Sequence, residues 1–288
     1  MGVKGILIPI GGNEDKGNRH KKKERYSLEY VEDGILSRVV RESGGNDAMI
    51  VVIPTASSIP KEVSENYLKA FQKLGCTDVH VMDIRTREDS EKESFIELVK
   101  KANCIMFTGG NQSKITTIIG KTTIHKILKD RYRNDAGFVI AGTSAGAMAM
   151  SKQMIAGGSS TEAFFKGTVF MTKGLGLAPK LIFDTHFIQR GRFGRQAEAM
   201  AKFPHILGIG LAEDTGMVIK NGVEFEVIGS GMIIIFDASN LTHNNEEVLK
   251  EGTPMSLSNL VVHILSNGDH FNIETREVKI LPIDSPFV

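Results

Sequence analysis

Short apolar runs alternate with longer amphipathic stretches through the first half of the chain. The runs predict buried strands over 6–10, 48–54, 79–84, 104–108 and 137–141. Apolar positions spaced three and four residues apart predict helices over 26–42, 62–74, 91–101 and from about 112 to 134. Runs that are apolar throughout are typical of parallel strands covered on both faces. The alternation therefore predicts an α/β fold, with a doubly wound, mostly parallel sheet and right-handed crossovers.

Shorter strands joined by turns follow in the second half of the chain. A segment over 152–180, rich in Gly, Ser, Thr and Lys, is expected to form an irregular rim. Beyond it the pattern predicts a helix over 194–202 and strands over 181–188, 208–212, 217–220, 224–228 and 232–237. The pair Asn221-Gly222 is a strong hairpin signal between two of these strands.

The last part of the chain, about 258–280, predicts a closing hairpin made of strands over 260–265 and 270–278. No linker separates this hairpin from the strands that precede it. We therefore expect an antiparallel C-terminal extension of the same sheet, and a single domain over 1–288 with its core at about 5–240.

Composition narrows the class of protein and its partners. The chain is 41% hydrophobic and 24% charged with a net charge of +1, so no overall field attracts nucleic acid or a membrane. The one basic run, 19–25, is expected to be a solvated loop or helix start. Cys76 and Cys104 lie far apart in predicted core segments and form no disulfide framework or zinc spacing. With no signal peptide or membrane-spanning run, we expect a cytoplasmic protein without a metal site.

The strongest chemical signal is Gly142-Thr143-Ser144-Ala145-Gly146, which follows an apolar strand and precedes a helix start. A serine with glycines two positions away on either side is the nucleophile-elbow pattern. The turn is so tight that larger flanking side chains would collide, and it lifts the serine hydroxyl above the edge of the sheet. An ordinary glycine-rich turn is the alternative, because the motif alone occurs in many sequences by chance.

Other glycine-rich turns fall at the same edge of the predicted sheet. The pairs Gly11-Gly12 and Gly109-Gly110 and the turn 55–58 follow strands, as Ser144 does. In open parallel sheets, ligands bind at the carboxyl ends of the strands. Acyl transfer at a serine needs two N–H donors for the developing oxyanion, and we expect one from Ala145. The second is expected from Gly110 or Asn111, because a glycine pair allows the backbone to approach closely.

A serine nucleophile also needs a base and a group that orients it. Of the eight histidines, His186 is the best candidate, because it lies near the end of a predicted strand and just before a polar cluster containing Arg190, Arg192 and Arg195. Two acids are candidates for the orienting group. Asp184 would share a strand face with His186, and Glu213 closes the predicted strand 208–212. The pattern alone leaves both open, and a Ser, His, Glu order would argue against a lipase or esterase of the α/β-hydrolase type.

Seven motifs occur together in the order expected of cyanophycinases, and the sequence resembles that family from residue 6 to about 240. The motifs are Gly11-Gly12-Asn13-Glu14-Asp15-Lys16, Ile53-Pro54-Thr55-Ala56-Ser57, Phe107-Thr108-Gly109-Gly110-Asn111-Gln112, Gly142-Thr143-Ser144-Ala145-Gly146-Ala147, Gly174-Leu175-Gly176-Leu177, Asp184-Thr185-His186-Phe187 and Gly208-Ile209-Gly210. Cyanophycinases are serine peptidases related to α-aspartyl dipeptidase. The resemblance implies a flavodoxin-like fold similar to that of class I glutamine amidotransferases.

The resemblance also implies roles for individual residues. Ser144 would be the nucleophile, His186 the base and Glu213 the orienting acid. The substrate pocket would be lined by Gln112, Asp184, Thr185, Arg190, Arg192 and Arg195. The sequence departs from the family at Thr185, where glutamine is common, in the looser pattern over 212–216, and in the rim over 152–180, which is not obviously matched.

The substrate that the resemblance implies is cyanophycin, a poly-aspartate chain with an arginine on each β-carboxyl, released as β-aspartyl-arginine dipeptides. Guanidinium groups near the nucleophile can hold aspartate carboxylates by bidentate pairing, and Asp184 or Glu162 could receive the arginine. A solvated charged loop is the alternative for the arginines. The resemblance implies a homodimer without a cofactor.

Two other functions stay open at this stage. One is a related peptidase that cleaves α- or β-aspartyl dipeptides, and the other is a non-catalytic protein of the same fold that binds an acidic ligand. A glutamine amidotransferase is disfavoured because the elbow carries Ser144 rather than a cysteine.

Overall fold

The computed structural model of this chain describes residues 2–17, 28–160, 164–282 and 285. Its helices are α1 (Ile35–Glu42), α2 (Pro60–Lys73), α3 (Glu93–Lys101), α4 (Gln112–Ile118), α5 (Thr123–Asn134), α6 (Ala145–Ala149) and α7 (Phe193–Lys202). No helix in these ranges is long and apolar enough to cross a lipid bilayer.

Helices lie between successive strands from Ile6 to Gly158, whereas most later strands follow one another directly. In the first half they are β1 (Ile6–Ile10), β2 (Ile50–Ile53), β3 (Val79–Val81), β4 (Cys104–Phe107), β5 (Val139–Thr143), β6 (Gln153–Gly158) and β7 (Val169–Lys173). In the second half they are β8 (Leu181–Asp184), β9 (Leu207–Leu211), β10 (Thr215–Lys220), β11 (Glu224–Gly229), β12 (Met232–Asp237), β13 (His243–Asn244), β14 (Leu257–Ser258), β15 (Val261–Ser266), β16 (His270–Asn272) and β17 (Val278–Lys279).

The largest sheet of the described chain has nine strands in the order β17-β16-β11-β10-β1-β5-β4-β2-β3. The five strands from β1 to β3 in that order run parallel, and the other four pair antiparallel. Strands β2, β4 and β5 are buried along their whole length, which explains why their sequences are apolar throughout. The prediction of an α/β fold with a large, mostly parallel sheet is confirmed.

A second sheet of the described chain has four strands in the order β15-β12-β9-β8. Strands β8 and β9 are parallel, and the other pairs are antiparallel. The prediction that all late strands extend the first sheet is therefore wrong for these four. The predicted hairpin over 260–265 and 270–278 is also wrong, because β15 pairs with β12 while β16 pairs with β11. The turn between them therefore crosses from one sheet to the other. The sequence could not predict this, because a local turn signal does not determine which free edge each strand joins.

Two predicted boundaries differ from those in the structure. The predicted helix over 26–42 begins only at Ile35: Tyr30 instead reaches across to donate its hydroxyl to the carbonyl of Ala70, and Gly34 starts the helix. Residues 26 and 27, and the basic run within 19–25, lie outside the described residues. The predicted strand over 181–188 ends at Asp184.

The rim over 152–180 is more regular than expected. It contains an antiparallel pair formed by β6 and β7, with a register irregularity between Ile155 and Gly157. Glu162, which was considered as an acid for the substrate's arginine, lies outside the described residues. The hairpin predicted at Asn221-Gly222 is confirmed, because β10 and β11 pair on either side of it and both turn residues have positive φ.

Aromatic side chains pack on the second sheet directly behind the loop that follows β8. Phe236 on β12 is fully buried, and its ring centroid lies 5.7 Å from that of Phe187 and 4.8 Å from that of Phe193. The ring of Phe187 also fills the space where a side chain at Gly210 would lie. These contacts support the backbone beside His186.

Replacing Phe236 with alanine is expected to lower the free energy of unfolding by about 3–5 kcal/mol, because a fully buried ring leaves a cavity. Ile264 on the neighbouring strand is 63% exposed and provides the control. Its replacement with alanine is expected to change the free energy of unfolding by less than about 0.5 kcal/mol. Urea denaturation followed by circular dichroism measures both, and equal losses would contradict this assignment of the core.

Candidate active site

The nucleophile elbow is formed where β5 of the large sheet turns into α6. Ser144 has φ 51° and ψ −110°, a conformation that non-glycine residues rarely adopt, and its amide donates to the carbonyl of Ile10 at 2.9 Å. A Cβ atom at Gly142 would lie 2.8 Å from the carbonyl carbon of Gly146, and one at Gly146 would lie 2.6 Å from the carbonyl oxygen of Phe107. Both glycines are therefore required by the close packing of the turn.

His186 reaches the serine from the loop that follows β8 in the second sheet. Its Nε2 atom lies 2.9 Å from Ser144 Oγ. The backbone at His186 has φ 49°, and its amide donates to the carbonyl of Gly11 at 2.9 Å. A Cβ atom at Gly12 would overlap the imidazole ring, so the absence of a side chain there makes room for the base.

Glu213 contacts the other nitrogen of the ring. Its Oε1 atom lies 2.6 Å from His186 Nδ1, and its side chain also receives a hydrogen bond from Asn13. The amide of Glu213 donates to Gln189 Oε1 at 3.2 Å. A carboxylate at Nδ1 holds the proton on that nitrogen, which leaves Nε2 free to accept the serine proton.

Asp184, the alternative orienting acid, does not contact the imidazole. The strand ends at Asp184, so the two-residue alternation that would place it on the same face as His186 does not continue. Its carboxylate is fully buried and accepts hydrogen bonds from Arg192, from Arg195 and from the amide of Thr185. The geometry therefore pairs the imidazole of His186 with Glu213.

The electrostatic surroundings favour a neutral base and an ionised acid. Burial lowers the pKa of His186, and the positive charges of Arg190 and Arg192 lower it further, against the opposing effect of Glu213. Burial acts to raise the pKa of Glu213, but the hydrogen bonds from Asn13 and His186 outweigh it, and the net pKa is lowered. Near neutral pH the imidazole is therefore unprotonated at Nε2 and can act as a base.

Two backbone amides, one in the cleft and one directly after the serine, were predicted to stabilise an oxyanion. In the part of the chain that the structure describes, the amides of Gly110 and Ala145 donate to no protein acceptor. Gly110 has φ 138°, and a Cβ atom there would overlap the carbonyl of Ala56. Asn111, the alternative to Gly110 as the second donor, is wrong, because its amide donates to that same carbonyl of Ala56 at 3.0 Å.

The predicted substrate-binding residues divide into two groups. Arg190 is exposed and lines the cleft in front of Ser144. Arg192 and Arg195 do not line that cleft, because they neutralise Asp184. The expectation that Asp184, Arg192 and Arg195 would be available to a substrate is therefore wrong, because their charged groups pair with one another.

The remaining two predicted residues, Gln112 and Thr185, are not among those that line the cleft. Gln112 donates its side-chain amide to the carbonyls of Ile155 at 2.9 Å and Ala156 at 3.1 Å, and so holds β6 against the start of α4. Thr185 is buried, and its hydroxyl has no hydrogen-bond partner among the described residues.

The cleft has a volume of about 430 Å³ and is also lined by residues to which the sequence assigned no role. Glu14, Lys16 and Tyr67 are among them. Glu14 and Lys16 belong to the first of the seven motifs, directly after the Gly11-Gly12 turn. That position at a strand end is the sequence signal that could have identified them as cleft residues. Among the described residues, no group of three His, Cys, Asp or Glu side chains is arranged to hold a metal ion.

The chain is similar in sequence to known peptidases. The sequence profile of peptidase family S51 matches residues 22–227. The chain is 35% identical over 275 residues to a cyanophycinase from Geminocystis herdmanii, covering 96% of each chain. It is 36% identical over 276 residues to a cyanophycinase from Trichormus variabilis, covering 96% of this chain and 88% of the relative.

The fold also resembles a solved structure. The crystal structure of a peptidase from an acI-B1 Actinobacterium superposes with a TM-score of 0.63 at 20% sequence identity, covering 94% of this chain and 97% of that one. At that identity the likeness concerns the fold alone.

Replacing Asp184 with asparagine is expected to lower the free energy of unfolding by about 3–5 kcal/mol, because Arg192 and Arg195 lose the buried anion that neutralises them. Asp83 is the control, since its side chain is 46% exposed and its nearest arginine nitrogen is 3.6 Å away. Its replacement with asparagine should cost less than about 1 kcal/mol. Chemical denaturation distinguishes the two, and a D184N protein as stable as the wild type would refute the structural role.

The imidazole of His186 is expected to titrate below 6.5, the ordinary pKa of histidine, because it is buried beside cationic side chains. Replacing Arg190 with glutamine removes one of those charges and should raise the pKa of His186. NMR titration of the imidazole carbon-bound protons, assigned with a His186→Gln variant, measures both values. A pKa above 6.5 in the wild type would contradict the described surroundings.

Proposed function

This chain belongs to peptidase family S51, and on that premise we propose that it is a serine exopeptidase that hydrolyses cyanophycin to β-aspartyl-arginine dipeptides. The observation that carries the proposal is the hydrogen-bonded triad of Ser144, His186 and Glu213, which faces a cleft that is also lined by the exposed Arg190. Two relatives named as cyanophycinases are 35–36% identical over almost the whole chain, which supports the same substrate.

The mechanism follows from the positions of the side chains. Ser144 Oγ attacks the backbone carbonyl carbon of an aspartyl residue while His186 Nε2 accepts the hydroxyl proton. The negative charge that develops on the carbonyl oxygen is stabilised by the amides of Ala145 and Gly110. When the carbon–nitrogen bond breaks, His186 gives its proton to the leaving amine, and an acyl-enzyme remains. Water then attacks the ester, again with His186 as base, and releases the new carboxyl group from Ser144.

The charge of the cleft suits an aspartate polymer. The Arg190 guanidinium is exposed beside the nucleophile, and in the described chain it forms no ion pair. A guanidinium group binds a carboxylate through two parallel hydrogen bonds, which makes Arg190 the residue best placed to hold a carboxylate of the substrate. Arg192 and Arg195 contribute indirectly, because with Asp184 they build the loop from which Arg190 projects.

We further propose that the enzyme is a single-domain protein of the cytoplasm and acts as a homodimer, the last of which the family resemblance implies. Both described cysteines, Cys76 and Cys104, are buried free thiols, which agrees with a reducing compartment.

Replacing Ser144 with alanine is expected to lower kcat on cyanophycin by about a thousandfold or more, because the acyl-enzyme can no longer form. Binding of the polymer should be retained. Ser113, which lies on α4 outside the cleft, provides a matched control, and Ser113→Ala should leave turnover unchanged. Mass spectrometry of the products should detect β-aspartyl-arginine dipeptides.

Other outcomes distinguish the rival functions. Cleavage of α-aspartyl or β-aspartyl dipeptides without cleavage of cyanophycin would favour a related dipeptidase. Failure of a serine-directed reagent to label Ser144 in the wild type would favour a protein that only binds acidic ligands.

A further inference from the structure

Lys16 lies in the same cleft as Ser144 and His186, and its ammonium group is held in place from three directions. Lys16 Nζ is 2.9 Å from Glu14 Oε1 and 3.3 Å from the carbonyl oxygen of Glu14. The same nitrogen lies 4.9 Å from the centre of the Tyr67 ring, over its face. The Lys16 side chain keeps 25% of its surface exposed, so the cation is both immobilised and accessible from the cleft.

Glu14 is bound by three side chains that come from three different parts of the fold. Its carboxylate is fully buried and also accepts hydrogen bonds from the Tyr67 hydroxyl on α2 and from Thr143 Oγ1, at 2.6 Å for the latter. Burial acts to raise the pKa of Glu14, but the nearby Lys16 and these hydrogen bonds lower it, so the group stays ionised. Since Thr143 directly precedes the nucleophile, Glu14 connects the position of Lys16 to that of Ser144.

The hydrogen-bonding capacity of the two residues indicates which one meets a ligand. Glu14 is buried and already accepts from three side chains, so it is closed to a substrate cation. An ammonium group has three N–H donors, and Glu14 accepts from two of those of Lys16. Within the described part of the chain, one donor therefore remains for an acceptor in the cleft, and an anionic acceptor forms the stronger bond.

We propose that Lys16 is a specificity-determining residue that binds a carboxylate of the substrate, and that Glu14 is the positioning residue that fixes its ammonium group. This inference rests on the proposed function, because it assigns the cation to the carboxylates of an aspartyl-arginine substrate. Such a substrate carries a backbone carboxylate at its end and an α-carboxylate on each arginine. Arg190 and Lys16 together provide two cationic contacts in one cleft, which matches a substrate with more than one carboxylate.

The test compares wild type and Lys16→Met on a defined substrate of two β-arginyl-aspartyl units and on analogues in which each carboxylate is amidated in turn. For one of these carboxylates, amidation is expected to raise the KM of the wild type about tenfold, the scale of one charge-assisted hydrogen bond. Lys16→Met should raise the KM on the unmodified substrate to the same extent with kcat within about threefold. The same amidation should then have no further effect on the variant, as in a double-mutant cycle.

Matched variants separate recognition from structural damage. Lys16→Arg should restore most of the affinity, because it keeps a cation at the same place. Lys92 is the control, since it also pairs with a carboxylate, Asp89, at 2.6 Å and lies over a ring, Phe95, at 5.7 Å, but outside the cleft. Lys92→Met should leave KM and kcat unchanged.

The outcomes also separate this inference from the proposed function. If Lys16→Met lowers kcat/KM equally on the acid and on every amidated analogue, Lys16 has only a structural role and the inference is overturned. If the wild type cleaves α-aspartyl dipeptides but not the two-unit substrate, the proposed substrate is wrong, and the same acid-against-amide comparison is made on those dipeptides. If amidation of a dipeptide carboxylate raises the KM of the wild type tenfold but does not change the KM of Lys16→Met, the contact between Lys16 and a carboxylate is still supported.

Discussion

The contact between Ser144 Oγ and His186 Nε2 joins two sheets, and the other features of the site depend on it. The serine follows β5 of the nine-stranded sheet, whereas His186 and Glu213 follow β8 and β9 of the four-stranded sheet. A hydrogen bond between groups on separate sheets requires that the two sheets be held in a fixed position relative to each other. The loop after β1 does this, since Gly11 and Gly12 accept backbone hydrogen bonds from His186 and Asp214 respectively.

Four residues at this junction have strained backbone conformations. Asn13, Ser144, His186 and Asp214 have φ between 49° and 51°, although none of them is a glycine. Each such residue costs roughly 1–3 kcal/mol and persists only where surrounding contacts hold it. Here the contacts are visible: Asp214 accepts hydrogen bonds from the amide of Asp15 at 3.0 Å and from Ser230 Oγ at 2.7 Å. The stability of the two sheets thus maintains a catalytic geometry that the local chain would not adopt alone.

Charged side chains around the cleft serve two different purposes. The fully buried Asp184 pairs with Arg192 and Arg195, and these ion pairs shape the loop after β8. Arg190 and Lys16 instead present positive charge to the cleft, one exposed and the other held by a buried carboxylate. Because an arginine looks the same in the sequence whether it faces a buried acid or solvent, the spacing of the three arginines could not separate these roles.

The amino-acid sequence by itself determined the parallel strands, the elbow at Ser144 and the position of His186 at a strand end. These features follow from local causes: continuous apolar runs, glycines two residues on either side of a serine, and turn residues after strands. The tertiary structure decided which acid contacts the imidazole, why Asn111 cannot donate to an oxyanion, and how β15 and β16 divide between two sheets. Each of these depends on which distant backbone or carboxylate competes for the same hydrogen bond. Residues far apart in the chain supply those competitors, as Ala56 does for Asn111 and the two arginines do for Asp184, so only the folded arrangement sets the outcome.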